Sequence, residues 1–177
     1  MGQSLNKIFE TTEALQYHTA TIEWLDTDKS MSVAGIGTGT FAADDTVMIT
    51  GADETANNGI KTIDTVAANK ITLVEDVVTD AADANVKMNQ IVVGSWMPVD
   101  MYSRIVGALS CSHNASLIAE WSVDGSTALV TVTLAIVGGT PASYSVEVVA
   151  PYVRYKLLNV DNDHTSVAVH LYAKEST

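Results

Sequence analysis

From Arg104 to Tyr172 the chain repeats one pattern, a short run alternating apolar with polar residues and then a turn signal. Strict alternation places one set of side chains on each face of an extended strand, so this half of the chain must fold as sheet. The runs are Arg104 to Ser110, Ser116 to Ser122, Leu129 to Val137, Tyr144 to Val148, Tyr152 to Leu157 and Ser166 to Tyr172. Between them stand Asp124-Gly125-Ser126, Gly138-Gly139-Thr140-Pro141, Pro151 and Asp161-Asn162-Asp163-His164. The β-branched run Leu129 to Val137 has the composition of a sheet strand. Strands of this number and length predict an antiparallel sandwich of the jelly-roll kind.

The segment from Asp26 to Gln90 has shorter runs at closer spacing. Thr46 to Gly51, Ile60 to Val66, Ile71 to Val74 and Val86 to Met88 read as strands, separated by turns at Asn58-Gly59 and Ala67 to Lys70. Regular spacing of this sort predicts a small β-barrel or β-sandwich. Eleven of the acidic residues and four of the basic ones fall here, so the outer face of the module is acidic. The first 20 residues are sparse in apolar positions, and read either as a short helix followed by a strand or as an extended arm. Thr19 to Leu25 alternates and is assigned to the C-terminal sandwich. The predicted organisation is therefore an arm at 1–20, a jelly-roll-like sandwich of 21–25 with 91–177, and an acidic β-module at 26–90 inserted into it.

Charge narrows the function classes. Nine Lys and Arg stand against 21 Asp and Glu, a net charge of −12, and the basic residues are scattered. Nucleic-acid binding needs clustered Lys and Arg to neutralise phosphates, so no nucleic-acid partner is expected. With one cysteine, Cys111, no intrachain disulfide can form. No segment approaches the roughly 18 apolar residues of a membrane span. The N-terminal residues lack the apolar stretch of a secretory signal, and Asn6 stands where a myristoylation signal needs Ser or Thr. Asn114-Ala115-Ser116, which fits a glycosylation sequon, is read as coincidence.

The middle pattern, Phe41, Asp45-Thr46-Val47-Met48-Ile49-Thr50-Gly51, Asn57-Asn58-Gly59-Ile60-Lys61-Thr62-Ile63 and Ile71-Thr72-Leu73, resembles small β-modules of tailed-bacteriophage structural proteins. Tyr102 to Gly107, Ala119 to Gly125 with its Ser-x-Asp-Gly turn, and Val149 to Tyr155 with a Tyr-x-Arg strand resemble sandwich domains of phage virion proteins. The resemblance implies a virion component made in the host cytoplasm, with a capsid decoration protein on the outer surface of the head as first expectation. Its implied partners are the major capsid protein or other virion proteins, and further copies of itself as dimer or trimer. A tail or baseplate component and a host-glycan-binding β-sandwich module are the alternatives.

No catalytic constellation emerges, so no enzyme, cofactor or metal is expected. Gly35 to Thr40 looks like a phosphate loop but lacks the last glycine of G-x-G-x-x-G and no helix follows, so it reads as a turn. Asp26-x-Asp28-x-Ser30 begins like a calcium loop, yet Met31 stands where glycine is needed. Asp161-x-Asp163-His164 reads as a solvated turn. His18, His113, His164 and His170 include no i, i+4 pair. Cys111 reads as a buried small hydrophobe despite its spacing to His113. Trp24 and Trp121 lie in alternating runs and are assigned to cores, whereas Trp96 beside Met97-Pro98 is assigned to a surface. The predicted partner contacts are Ile8, Phe9 and Leu15 in the leader, with Trp96, Met97 and Tyr102 at the domain junction.

Overall fold

The computed structural model of the protein describes residues 5–36 and 40–175. It is all-β: a closed barrel of six antiparallel strands and a four-stranded antiparallel sheet, with no α-helix among the described residues. The chain divides into two compact units, Gln16–Ile91 and Met1–Leu15 with Val92–Thr177. Of the predicted phosphate-loop-like turn, Gly37 to Gly39 lie outside the described residues.

The chain begins with β1 (Leu5–Thr11), then builds the barrel from β2 (Tyr17–Leu25), β3 (Ser30–Val33), β4 (Thr46–Thr50), β5 (Gly59–Ala67), β6 (Lys70–Leu73) and β7 (Asp80–Val93). Around the barrel the order is β2-β3-β6-β5-β4-β7, and β7 closes it by pairing with both β4 and β2. Closure leaves no free edge, the surest protection against stray pairing. Alternation explains the filling: Ile22, Trp24, Met31, Val47, Ile49, Ile63, Ile71, Leu73, Val86 and Met88 point inward and are buried. Each large side chain so buried contributes roughly 1.5–3 kcal/mol.

Three polar groups inside this unit are satisfied by fixed partners. The Trp24 indole Nε1 donates to Asp83 Oδ2 at 2.9 Å across β2 and β7. Buried Lys61 donates Nζ to the carbonyls of Ala56 and Asp76, each at 3.1 Å. Buried Asn57 brackets Val78, donating to its carbonyl at 2.9 Å and accepting from its N–H at 2.8 Å. The predicted Asn58-Gly59 turn is built differently from a two-residue hairpin. Asn58 stays extended and clamps Ala52 through its side-chain amide, while Gly59, at φ +107°, opens β5.

The second unit adds β8 (Met97–Pro98), β9 (Tyr102–Cys111), β10 (Ala115–Ser122), β11 (Val130–Ile136), β12 (Ala142–Glu147), β13 (Tyr152–Asn159) and β14 (Val167–Glu175). One sheet runs β1-β14-β9-β12, and a second runs β11-β10-β13, with β8 and the end of β7 beyond β13. Both sheets contribute to one core, including Phe9, Leu15, Leu109, Leu117, Trp121, Tyr155, Val169 and Leu171. All six strands predicted between Arg104 and Tyr172 are present within a few residues of their expected limits.

Two expected placements change. The leader is no free arm, because Leu5 to Thr11 pairs with β14 at the margin of the four-stranded sheet. A bulge between Lys7 and Phe9 lets the adjacent Ile8 and Phe9 both turn inward, which is why alternation did not reveal the strand. The run Thr19 to Leu25 belongs to the barrel, paired with β3 and β7, and not to the C-terminal sandwich. Alternation identifies a strand, but the partner is chosen by side chains distant in sequence, here the Asp83 carboxylate that receives Trp24.

Candidate interaction surface

The expected contact residues lie in the second unit, and the structure sorts them into two groups. Ile8, Phe9 and Leu15 are buried in the unit's own core. The Phe9 ring packs against Tyr155 with centroids 6.1 Å apart, and the Leu15 carbonyl accepts from Asn159 Nδ2 at 3.1 Å and the His164 N–H at 2.8 Å. Their apolar side chains serve the unit's core, and Ile8 and Phe9 also line a cleft at its surface. Trp96, Met97 and Tyr102 are half-buried and remain accessible.

Met97 joins Ile8 and Phe9 at a cleft of about 370 Å³, whose other walls are Lys7, Glu10 and the segment Val92 to Ser95. Its floor is apolar and its rim charged. Gly94 is required there, since a Cβ would stand 2.8 Å from the Phe9 ring and 3.1 Å from the Tyr155 carbonyl oxygen. The cleft lies beside β1, which among the described residues is paired on one side only, with β14. A second cleft of similar volume, lined by Arg104, Glu147, Lys174 and Glu175, is of mixed charge.

Trp96 covers a charged cluster on the outer face of the β10–β13 ladder. Glu120 accepts from Lys156 Nζ at 2.6 Å and from Arg154 Nε, and the Arg154 guanidinium sits 4.6 Å from the centroid of the Trp96 ring. Burial disfavours the Glu120 charge, but the two cations outweigh it and hold the carboxyl below its ordinary range. Cation and ring together add about 1 kcal/mol. The arrangement compensates the Glu120 carboxylate with two cations and holds the Arg154 guanidinium against the Trp96 ring.

Two of the histidines meet and a third lies apart. His113 and His164 meet edge to face with centroids 5.9 Å apart. Burial drives the His164 pKa below its ordinary value, and its Nε2 lies 3.2 Å from the Asn114 carbonyl oxygen. His170 contacts Glu10 at 2.8 Å on the exposed side of β14. Cys111 is buried and burial pushes its thiol pKa up, the opposite of an activated nucleophile. Asp28 is held by Lys70 and Ser30, both at 2.5 Å. Among the described residues no three His, Cys, Asp or Glu side chains gather as a metal site.

One surface was missed by sequence reasoning. Strand β11 exposes nearly every residue on both faces, although its composition is that of a buried strand. The signal was present in Leu129 to Val137, but an apolar run does not reveal whether another element covers it. No protein-family model matches the chain, and no curated protein matches it either.

Proposed function

We propose that the protein is a structural component of a tailed-phage virion, in the first place a capsid decoration protein bound to the outer surface of the major capsid lattice. The observation carrying this reading is the cleft of Ile8, Phe9, Met97 and Val92 to Ser95 beside the open edge of β1. An apolar floor next to unpaired strand backbone suits an extended segment of another protein, which can add hydrogen bonds along the edge and seat a side chain in the cleft. A net charge of −12 supports the same reading, since it limits non-specific association while leaving a chosen contact available. The second unit is read more finely as a jelly-roll-like sandwich, its chain passing between the two sheets at most connections. Further copies of the chain, as dimer or trimer, belong to the proposal.

The test is cryo-electron microscopy of particles from the source, with this chain's density located. Regular copies on the icosahedral shell, with the β1 cleft against a capsid subunit, are expected. Copies confined to the tail or baseplate would replace decoration by the alternative virion role. Absence from particles would overturn both. A glycan-binding reading is favoured by one feature, the half-exposed Trp96 beside polar side chains. It requires sugar affinity that Trp96→Ala abolishes.

A further inference from the structure

Among the described residues, strand β11 is the terminal strand of its sheet and pairs with β10 alone, in unbroken register from Trp121↔Val130 to Ala115↔Ile136. Its outer backbone groups are therefore unpaired, and edges of this kind are normally protected by a bulge, a proline or an inward-pointing charge. The strand Val-Thr-Val-Thr-Leu-Ala-Ile has none of the three.

Its core-facing row is equally unusual. Val130, Val132 and Leu134 stand opposite Trp121, Ala119 and Leu117, which are buried in the core, so they lie on the same inward face of the sheet. Yet they remain 49%, 46% and 36% exposed, and only Ile136 at the end of the row is buried. Among the described residues, the inward apolar row is therefore left largely uncovered. Leu129 and Val137 continue the exposed surface at either end.

Charge points to the occupant. From Gly125 to Val146 the chain contains no Asp, Glu, Lys, Arg or His, in a protein of net charge −12. A second copy would be repelled over most of its surface, and a charge-free edge is where two such chains can meet without opposing carboxylates. The adjoining ladder adds no uncompensated carboxylate, because Glu120 is paired with Arg154 and Lys156. A basic partner would gain nothing from a neutral strand when acidic faces are available elsewhere.

We infer that β11 is a homotypic interface, in which two copies pair their β11 strands antiparallel about a two-fold axis near Val132. Directly opposed residues of an antiparallel pair share a face, so Val130 lies opposite the second copy's Leu134 and the two Val132 side chains meet. The β11-β10-β13 ladder then continues from one copy into the other, and the two uncovered rows form one apolar surface. The contact is closed, since it consumes the single free edge of β11 in each copy. This inference does not depend on the virion reading.

The experiment is sedimentation equilibrium of the full chain over a range of concentrations at moderate salt. A reversible dimer is expected, strengthened by salt as the net negative charges are screened. Val132→Asp places two carboxylates across the axis and should weaken dimerisation by roughly tenfold or more. Mixing the Val132→Asp and Val132→Lys proteins should restore a heterodimer, an outcome a misfolded variant could not give. Hydrogen exchange of the unmodified protein supplies a test without mutation, with β11 amides becoming more protected as concentration rises. A chain that stays monomeric throughout, β11 exchange indifferent to concentration, or a dimer unaffected by Val132→Asp would each overturn the interface.

Discussion

Glu120, Gly107 and His164 show how single positions carry the second unit. Glu120→Ala would leave Lys156 nearly buried without a counter-charge, and is expected to cost about 3 kcal/mol of unfolding free energy in denaturant titration. Gly107 admits no side chain, because a Cβ would lie 2.1 Å from the His170 carbonyl oxygen in the paired strand. That neighbour is backbone and cannot swing aside, so Gly107→Ala is expected to destabilise by about 2 kcal/mol or more on the same measurement. Burial lowers the His164 pKa below its ordinary value, with the approach of His113 acting in the same direction. A depressed histidine pKa contributes stability that is present above the unfolded-state value and is lost as pH falls towards the folded one. Thermal scans from about pH 7 to pH 5 should therefore show the unmodified protein losing stability relative to His164→Gln, a difference that isolates this group from the change in overall charge.

At the scale of elements, the barrel and the paired sheets handle strand edges in opposite ways. The barrel closes on itself, and its interior depends on polar pairs as well as apolar packing. Removing the acceptor of the Trp24 indole by Asp83→Ala leaves a buried donor unsatisfied, with an expected cost of about 1–3 kcal/mol in thermal or chemical denaturation. The four-stranded sheet ends at β1 and β12, and its facing ladder ends at β11. Of these edges, β1 has charged Lys7 and Glu10, and β12 ends in Glu147, whereas β11 carries no charge. The β11 edge is thus the one on which two copies can meet without opposing charges, whereas the β1 edge joins open backbone to a cleft with charged Lys7 and Glu10 on its walls.

Over the whole molecule, 21 acidic residues against nine basic ones set the response to solvent. Self-repulsion opposes the compact state, and added salt screens it. The melting temperature is expected to rise with sodium chloride from low to moderate ionic strength, and a flat response would mean that local ion pairs offset the net charge. Solubility should pass through a minimum near the isoelectric point that the sequence implies, about 4.4, where that repulsion vanishes.

The fold class and most strands of this protein follow from sequence alone, because alternation is a local property and side-chain period two forces extended backbone. The runs at Thr46, Ile60, Ile71 and throughout Arg104 to Tyr172 announce themselves in this way, as do the core positions of Trp24, Trp121 and Cys111. The strand β1 was hidden by its bulge, which breaks the period where Ile8 and Phe9 are both buried. Partner choice was hidden too. Whether Thr19 to Leu25 joins the barrel or the sandwich is decided by which distant carboxylate and apolar wall receive Trp24 and Ile22. Exposure required the assembled chain as well: Ile8, Phe9 and Leu15 have the composition of contacts and are core, while Val130, Val132 and Leu134 have the composition of core and are surface. Hydrophobicity measures what burial of a side chain would contribute, but only tertiary packing determines whether anything is there to bury it.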